Sequence, residues 1–179
     1  MATCWFAMEE LAAHNPGFQP APVFACDIKP ASKAFVLKHF PGVKFYDDVF
    51  GDAIKNAPYV DVLTAGFPCE PFSNQGKRKG TADTRGKIIF EVLDYVARAR
   101  PRLVLLENVL GFASHFPDLC KWVVTYLKDN GYCVAVRKLD SNKVGAVAQR
   151  RWRLYIIAVS RDVCRRQLMK SLCLFPSVP

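Results

Sequence analysis

Short apolar runs recur along the chain and are separated by longer segments with helical spacing. Residues 22–26 form one such run, and residues 59–65 and 103–106 form two more, bounded by proline, glycine or a charged residue. Runs of this length and composition predict buried β-strands. The same pattern predicts two further strands, at residues 132–136 and 154–159.

Between these runs, apolar residues recur every three or four positions, as on one face of a helix. The predicted helices cover residues 30–40, 87–98, 116–130 and 162–171. Pro30 stands where the first turn tolerates proline, and Gly131 stands where a helix commonly ends. Residues 67–86 are predicted to form a loop. Strands and helices alternating in this way predict an α/β sandwich with a mostly parallel sheet.

Three segments with chemically active side chains follow predicted strands. They are Asp27, residues 66–73, and Glu107 with Asn108. In open α/β sheets, ligands bind beyond the carboxyl ends of the strands. We therefore expect these segments to meet at one rim of the sheet.

Length and composition narrow the possible classes of protein. The 179 residues are about the size of one domain, and 51% of them are hydrophobic, which excludes global disorder. No apolar run approaches the roughly 18 residues of a membrane span, and the first residues lack a basic leader. We expect an intracellular protein, nuclear in a eukaryote and cytoplasmic in a prokaryote.

Positive charge is concentrated near one end. The net charge is +9, and residues 137–170 contain ten basic and two acidic residues, a local charge of +8. A basic surface can serve solubility alone. A local concentration of this size indicates a polyanionic partner such as nucleic acid.

One of the seven cysteines stands apart from the rest. Their odd number and the lack of a Cys-x-x-Cys pair favour free thiols in a reducing compartment, most of them small core residues. Cys69 instead lies between Pro68 and Pro71, directly after a predicted strand. Proline restricts the backbone, and a fixed orientation favours a nucleophile.

Two further strings carry candidate chemistry. Glu107 follows an apolar strand, where partial burial would raise the pKa of its carboxyl and favour proton donation. Taken alone, a glutamate at this position is more simply explained as a helix cap or as a partner in a salt bridge. Arg151 and Arg153 share one face of a predicted strand. They belong either to a functional site or to a basic edge of the sheet that faces solvent.

Together, these strings resemble the cytosine-5 DNA methyltransferases over residues 20–160. The resemblance rests on Pro-Cys-x-Pro-Phe-Ser from Pro68, Asp83-x-Arg85, Glu107-Asn108-Val109 and Gln-x-Arg-x-Arg from Gln149, in this order. It implies the Rossmann-like three-layer sandwich of class I methyltransferases. It also implies methyl transfer from S-adenosylmethionine to carbon 5 of cytosine in DNA, with the base turned out of the duplex.

The resemblance also implies catalytic roles. The Cys69 thiolate would add to carbon 6 of cytosine, and Glu107 would donate a proton to ring nitrogen 3. Arg151 and Arg153 would lie beside the target base, where Arg151 could lower the pKa of Cys69. Asn108 would orient the segment that carries Cys69. Pro68, Ser73 and Gln149 would serve structure or base positioning.

By the same resemblance, the methyl donor would lie against residues from several segments. Asp27 would bind ribose hydroxyls, Ile28 would touch adenine, and Asp48 would meet the adenine edge. Phe67 and Ile88 would complete the donor site through backbone and apolar contacts. No metal is implied, and the oligomeric state stays open.

Two departures from the family pattern define the expected boundaries. No counterpart of the family's opening Phe-x-Gly-x-Gly string precedes Gly17, and the stretch after Arg153 is too short for the family's target-recognition domain. We therefore expect a partial catalytic core at residues 1–160, incomplete at both ends, and a basic tail at residues 161–179. Two alternatives stay open: an inactive module that binds nucleic acid or a protein partner, and an RNA cytosine-5 methyltransferase.

Overall fold

The computed structural model describes residues 2–68, 84–144 and 150–164. The predictions for Cys69, Ser73 and Gln149, and most of the predicted helix at 162–171, lie outside these residues. The chain divides into two compact units, Met1–Val60 and Asp61–Pro179.

The first unit contains a two-stranded parallel sheet. Its elements are α1 (Ala2–His14), β1 (Phe24–Cys26), α2 (Pro30–His39), β2 (Lys44–Tyr46) and α3 (Asp52–Lys55). β1 and β2 pair so that Cys26 stands opposite Tyr46. The predicted strand and the predicted helix at residues 30–40 are confirmed, whereas α1 and β2 were not predicted.

A small core holds the first unit together. It consists of Ala25, Val36, Phe40 and Val43, which are all buried. Trp5 of α1 packs edge-on against Phe40, with ring centroids 4.8 Å apart. Aromatic pairs in this geometry contribute about 0.5–1.5 kcal/mol beyond the area that they bury, so this contact ties α1 to α2.

The second unit is built around a four-stranded sheet. Its elements are β3 (Val62–Gly66), a 3-10 turn (Thr84–Lys87), α4 (Ile88–Ala99), β4 (Leu103–Asn108), α5 (Gly111–His115), α6 (Pro117–Asp129), β5 (Tyr132–Asp140), α7 (Ser141–Val144), β6 (Trp152–Ser160) and α8 (Arg161–Val163). The strand order is β3-β4-β6-β5. The four strands predicted for this unit and both long helices, α4 and α6, are confirmed.

Strand direction in this sheet agrees with the predicted fold class. β3 and β4 are parallel, and β6 runs antiparallel to both of its neighbours, β4 and β5. β3, β4 and β5 therefore point the same way, with β6 alone reversed. The α/β fold with a mostly parallel sheet is confirmed.

One face of this sheet packs against the two long helices. Val104 and Leu106 alternate along β4 on the buried face, in one cluster with Ile89, Leu93 and Val96 of α4. These α4 residues are spaced four and three positions apart, which places them on one helical face. From α6, Cys120, Val123 and Leu127 join the same cluster.

The turn between α6 and β5 requires a glycine. Gly131 has a φ of +89°, a left-handed conformation that side chains rarely adopt. A Cβ at this position would also lie 3.0 Å from Nη2 of Arg100. Gly131 therefore ends α6 as predicted.

Among the described residues, no helix has both the length and the apolar character that a membrane crossing requires.

Candidate active site

Glu107 lies at the end of the central strand β4, where it meets an arginine from β6. The Nε of Arg153 is 2.7 Å from Oε1 of Glu107, and about a third of the glutamate side chain is exposed. Strand alternation places the two residues on one face of the sheet, opposite the face that packs on α4 and α6. Glu107 and Asn108 are the last residues of β4 rather than the first residues after it.

A glycine makes room for this carboxylate. Gly66, the last residue of β3, is the register partner of Glu107 in the parallel pair. A Cβ at Gly66 would lie 3.2 Å from Oε2 of Glu107, tighter than nine in ten real Cβ contacts. The absence of a side chain at Gly66 thus lets the carboxylate lie over β3. Sequence reasoning missed this role, because the strand register that creates the contact is not visible in the sequence.

Asn108 connects β4 to the segment that follows β3. Its side chain is buried and donates from Nδ2 to the carbonyl oxygen of Phe67 at 3.5 Å. Its Oδ1 accepts the backbone N–H of Val109 at 2.7 Å. The amide therefore holds the backbone of Phe67, which precedes Pro68 and, next in the chain, Cys69. An orienting role of Asn108 toward the segment that carries Cys69 stays a prediction.

The two residues before Cys69 are anchored in different ways. The ring of Phe67 is buried and packs edge-on against Phe112, with centroids 5.2 Å apart, so the ring itself is not open to a ligand. Pro68 is half-buried. Ile88, also predicted to contact the donor, begins α4 and packs against the core of this unit.

Arg151 and Arg153 have different surroundings. Arg153 is largely buried against Glu107, whereas Arg151 lies just before β6 and is exposed. The backbone N–H of Arg151 donates to Oδ1 of Asp140 at 3.1 Å, and the same oxygen accepts the N–H of Asn142 at 3.3 Å. Asp140 is buried, and its carboxylate holds both ends of the connection between β5 and β6. Sequence reasoning missed this role, because the predicted strand ended at residue 136 whereas β5 extends to Asp140.

In the first unit, the predicted donor residues gather where β1 and β2 end. Asp27 directly follows β1, and its Oδ1 accepts the N–H of Lys29 at 3.0 Å. Asp48 lies two residues after β2, and its Oδ1 accepts the N–H of Phe50 at 3.0 Å. Ile28 is 76% exposed, an unusual position for an isoleucine. Because Asp27 and Glu107 belong to different units, the expected common rim stays a prediction.

The thiol of Cys26 lies among these carboxylates. Burial, the largest cause, and the negative charges of Asp48, Asp27 and Asp47 together raise the pKa of Cys26 from 9.0 to about 11. Asp47 is itself paired with Lys33, 2.8 Å from Nζ to Oδ1. The carboxylates of Asp27 and Asp48 remain able to accept hydroxyl or amino donors from a ligand.

We expect Cys26 to react slowly with alkylating reagents at neutral pH. A pKa of about 11 rather than 9.0 leaves about a hundredfold less thiolate. Iodoacetamide labelling followed by peptide mass spectrometry should show a rate that still rises above pH 10. The Asp48→Asn variant should lower the midpoint, whereas Asp52→Asn, which removes a charge paired with Lys55, should leave it unchanged. A wild-type midpoint near 9 would contradict this account of the cluster.

Five cysteines fall within the described residues, and all of them are free thiols: Cys4, Cys26, Cys120, Cys133 and Cys164. Burial also raises the pKa of Cys120, as expected for a core thiol. In the same part of the chain, no group of three or more His, Cys, Asp or Glu residues could hold a metal ion.

Residues 10–171 match the family model described as C-5 cytosine-specific DNA methylase. Type II methyltransferase M.BanI of Aneurinibacillus aneurinilyticus is 40% identical over 120 residues, which cover 65% of this chain and 28% of the relative. Type II methyltransferase M.HgiCI of Herpetosiphon aurantiacus is 35% identical over 157 residues, covering 86% of this chain and 36% of the relative. The chain thus spans about a third of the length of these relatives.

Solved structures show the same fold. A Spodoptera frugiperda DNMT2 mutant superposes with a TM-score of 0.64 at 23% identity, covering 86% of this chain and 47% of the other. The Schizosaccharomyces pombe Dnmt2 methyltransferase gives a TM-score of 0.60 at 24% identity, with the same coverage. The class I methyltransferase fold expected from the sequence is confirmed.

Proposed function

The chain belongs to the C-5 cytosine-specific DNA methylase family, and we propose that it transfers a methyl group from S-adenosylmethionine to carbon 5 of cytosine in DNA. The observation that carries the proposal is the Glu107–Arg153 pair beside Gly66. The pair places an oriented carboxylate and a guanidinium beside Gly66, the last residue of β3. From Gly66 the chain continues through Phe67 and Pro68 to Cys69.

Cytosine requires both a nucleophile and an acid because carbon 5 belongs to an aromatic ring and is weakly nucleophilic. The Cys69 thiolate forms a bond to carbon 6, and Glu107 delivers a proton to nitrogen 3 as negative charge develops there. This makes carbon 5 enamine-like and able to accept a methyl group. The methyl transfer would release S-adenosylhomocysteine. Loss of the carbon-5 proton to solvent, departure of the Cys69 thiolate and return of the nitrogen-3 proton to Glu107 then restore the ring.

In this proposal, Arg153 orients Glu107. Its Nε engages Oε1, so that the carboxyl is held by one oxygen while Oε2 lies over Gly66. A fixed acid raises the rate because less orientational freedom is lost in the transition state. Asn108 contributes in the same way through its hydrogen bond to the Phe67 carbonyl.

The residues at the ends of β1 and β2 fit an adenosine-containing donor. Asp27 and Asp48 offer carboxylate oxygens to hydroxyl or amino groups, and exposed Ile28 offers an apolar surface to a purine. S-adenosylmethionine supplies an electrophilic methyl group on a sulfonium. The role of this chain is to bind the adenosine portion, with Phe67 and Ile88 as proposed contacts from the second unit.

The proposed partner is duplex DNA with its target cytosine turned out of the helix, because a stacked base cannot reach a thiol within the protein. The exposed arginines before β6 suit a phosphate backbone. We also propose that residues 1–160 form the partial catalytic core, that residues 161–179 form a basic tail, and that the protein is intracellular.

Methyl transfer to defined nucleic acids tests the function. The chain is incubated with duplex DNA or tRNA and S-adenosylmethionine bearing a deuterated methyl group, and the nucleosides are analysed by mass spectrometry. Labelled 5-methyl-2′-deoxycytidine in the DNA is the expected result. Label in tRNA alone would contradict the DNA substrate. Label in neither, from folded protein that binds DNA, would favour the inactive binding module.

A further inference from the structure

Five exposed residues flank the connection where β5 ends and β6 begins. We call them the strand-end surface: Lys138, Lys143, Arg150, Arg151 and Trp152. Lys138 lies near the end of the edge strand β5, Lys143 lies in α7, and the other three lead into β6. Within the described ranges, the four cations of this surface have no ion-pair partner. By contrast, Lys33, Lys55 and Arg102 each lie within 4 Å of an aspartate.

The acidic residue of this region, Asp140, offsets at most one of the four positive charges. Asp140 is only 2% exposed, and its Oδ1 is occupied by the backbone N–H groups of Asn142 and Arg151. The side chains of Arg150 and Arg151 are exposed, and four cations against one carboxylate leave this surface with a net positive charge. A cluster of this kind attracts a polyanion.

Trp152 adds an aromatic platform to this charge. Its side chain is 43% exposed, and no aromatic ring in the described part of the chain packs on it. The two other tryptophans are engaged: Trp5 contacts Phe40, and Trp122 contacts Phe90 and Tyr126. Exposing an indole is unfavourable, and an indole among cations suits a nucleobase, which stacks on it while the phosphates meet the cations.

The sheet also indicates which nucleotide Trp152 would meet. Side chains alternate along β6, so Arg153 shares a face with Glu107 while Trp152 projects from the opposite face. A cytosine held at Glu107 cannot also stack on Trp152. We propose that the strand-end surface binds DNA beside the target nucleotide, with an unpaired neighbouring base stacked on Trp152. This inference rests on the proposed DNA substrate.

Fluorine NMR tests the contact in the full chain. Incorporation of 5-fluorotryptophan gives one signal for each of the three tryptophans, and Trp152→Phe identifies the signal of interest. Adding a single-stranded oligonucleotide should shift the Trp152 signal, whereas inorganic polyphosphate, which lacks bases, should leave it nearly in place. Trp122 is a matched internal control, because it is 42% exposed and lies outside the basic surface. An equal shift with polyphosphate would overturn stacking.

Affinity measured against salt concentration separates stacking from charge. Trp152→Ala should weaken single-strand binding about 5- to 100-fold without changing the salt dependence. Lys143→Ala should instead reduce the slope of log affinity against log salt by about 0.7. DNA binding that Trp152→Ala leaves unchanged would overturn this inference and leave the proposed function standing. Absence of DNA binding even at low salt would overturn both.

Discussion

Glu107→Gln is expected to lower the rate of methyl transfer to DNA by about 10²- to 10⁴-fold, the usual contribution of a positioned general acid. Glutamine has nearly the same shape and can still accept a hydrogen bond from Arg153 through its side-chain oxygen, so the sheet should remain intact. It has no carboxyl proton to donate to nitrogen 3, and this loss accounts for the expected effect.

Steady-state assays with labelled donor measure this change. If Glu107 acts on the reacting ring, the turnover number should fall while the affinity for DNA changes little. Glu91→Gln in α4 is the control, because Glu91 is a half-buried glutamate of the same unit with no proposed role. A Glu107→Gln variant that kept more than about half of the wild-type rate would exclude Glu107 as the essential acid.

Cys69→Ser is expected to abolish methyl transfer while leaving DNA binding intact. At neutral pH a few per cent of an ordinary thiol is ionised, whereas a serine hydroxyl is not, and thiolate is also the better nucleophile. Without a bond to carbon 6, carbon 5 stays aromatic and cannot take the methyl group. The effect should therefore appear in the turnover number rather than in the DNA dissociation constant.

Cys133→Ser provides the comparison. Cys133 is a half-buried free thiol on β5, with no proposed part in the reaction. Its replacement should leave the rate close to that of the wild type. Loss of activity in both variants would point to a general effect of thiol removal, and retained activity in Cys69→Ser would contradict covalent catalysis.

The elements that could be predicted are those with a strong periodic pattern. The first four residues of β4 are apolar, and in α4 Ile89, Leu93 and Val96 are buried at spacings of four and three positions, so the pattern determines the type of both elements. The shorter β2 has only three residues, too few for a period to be visible. In α1, large apolar residues such as Trp5, Phe6 and Met8 occupy adjoining faces, so no single apolar stripe marks it as a helix.

The candidate site was predictable as a list of residues but not as a set of contacts. Glu107 and Arg153 could be selected by their strings, yet they are 46 positions apart and meet only because β6 lies beside β4 in reverse direction. The reversed strand has no marker in the sequence. The strand register is likewise needed to see that Glu107 lies over Gly66. It is also needed to see that Asp140 joins the two ends of the connection between β5 and β6.

The most direct test of the account is covalent trapping on DNA that carries 5-fluorocytosine at candidate target sites. Fluorine at carbon 5 cannot leave as a proton does, so after methyl transfer the bond between Cys69 and carbon 6 persists. With S-adenosylmethionine present, the account predicts a stable protein–DNA complex whose cross-linked peptide contains Cys69, and no such complex with Cys69→Ser. Folded, DNA-bound protein that formed no adduct, or an adduct at another of the seven cysteines, would contradict it.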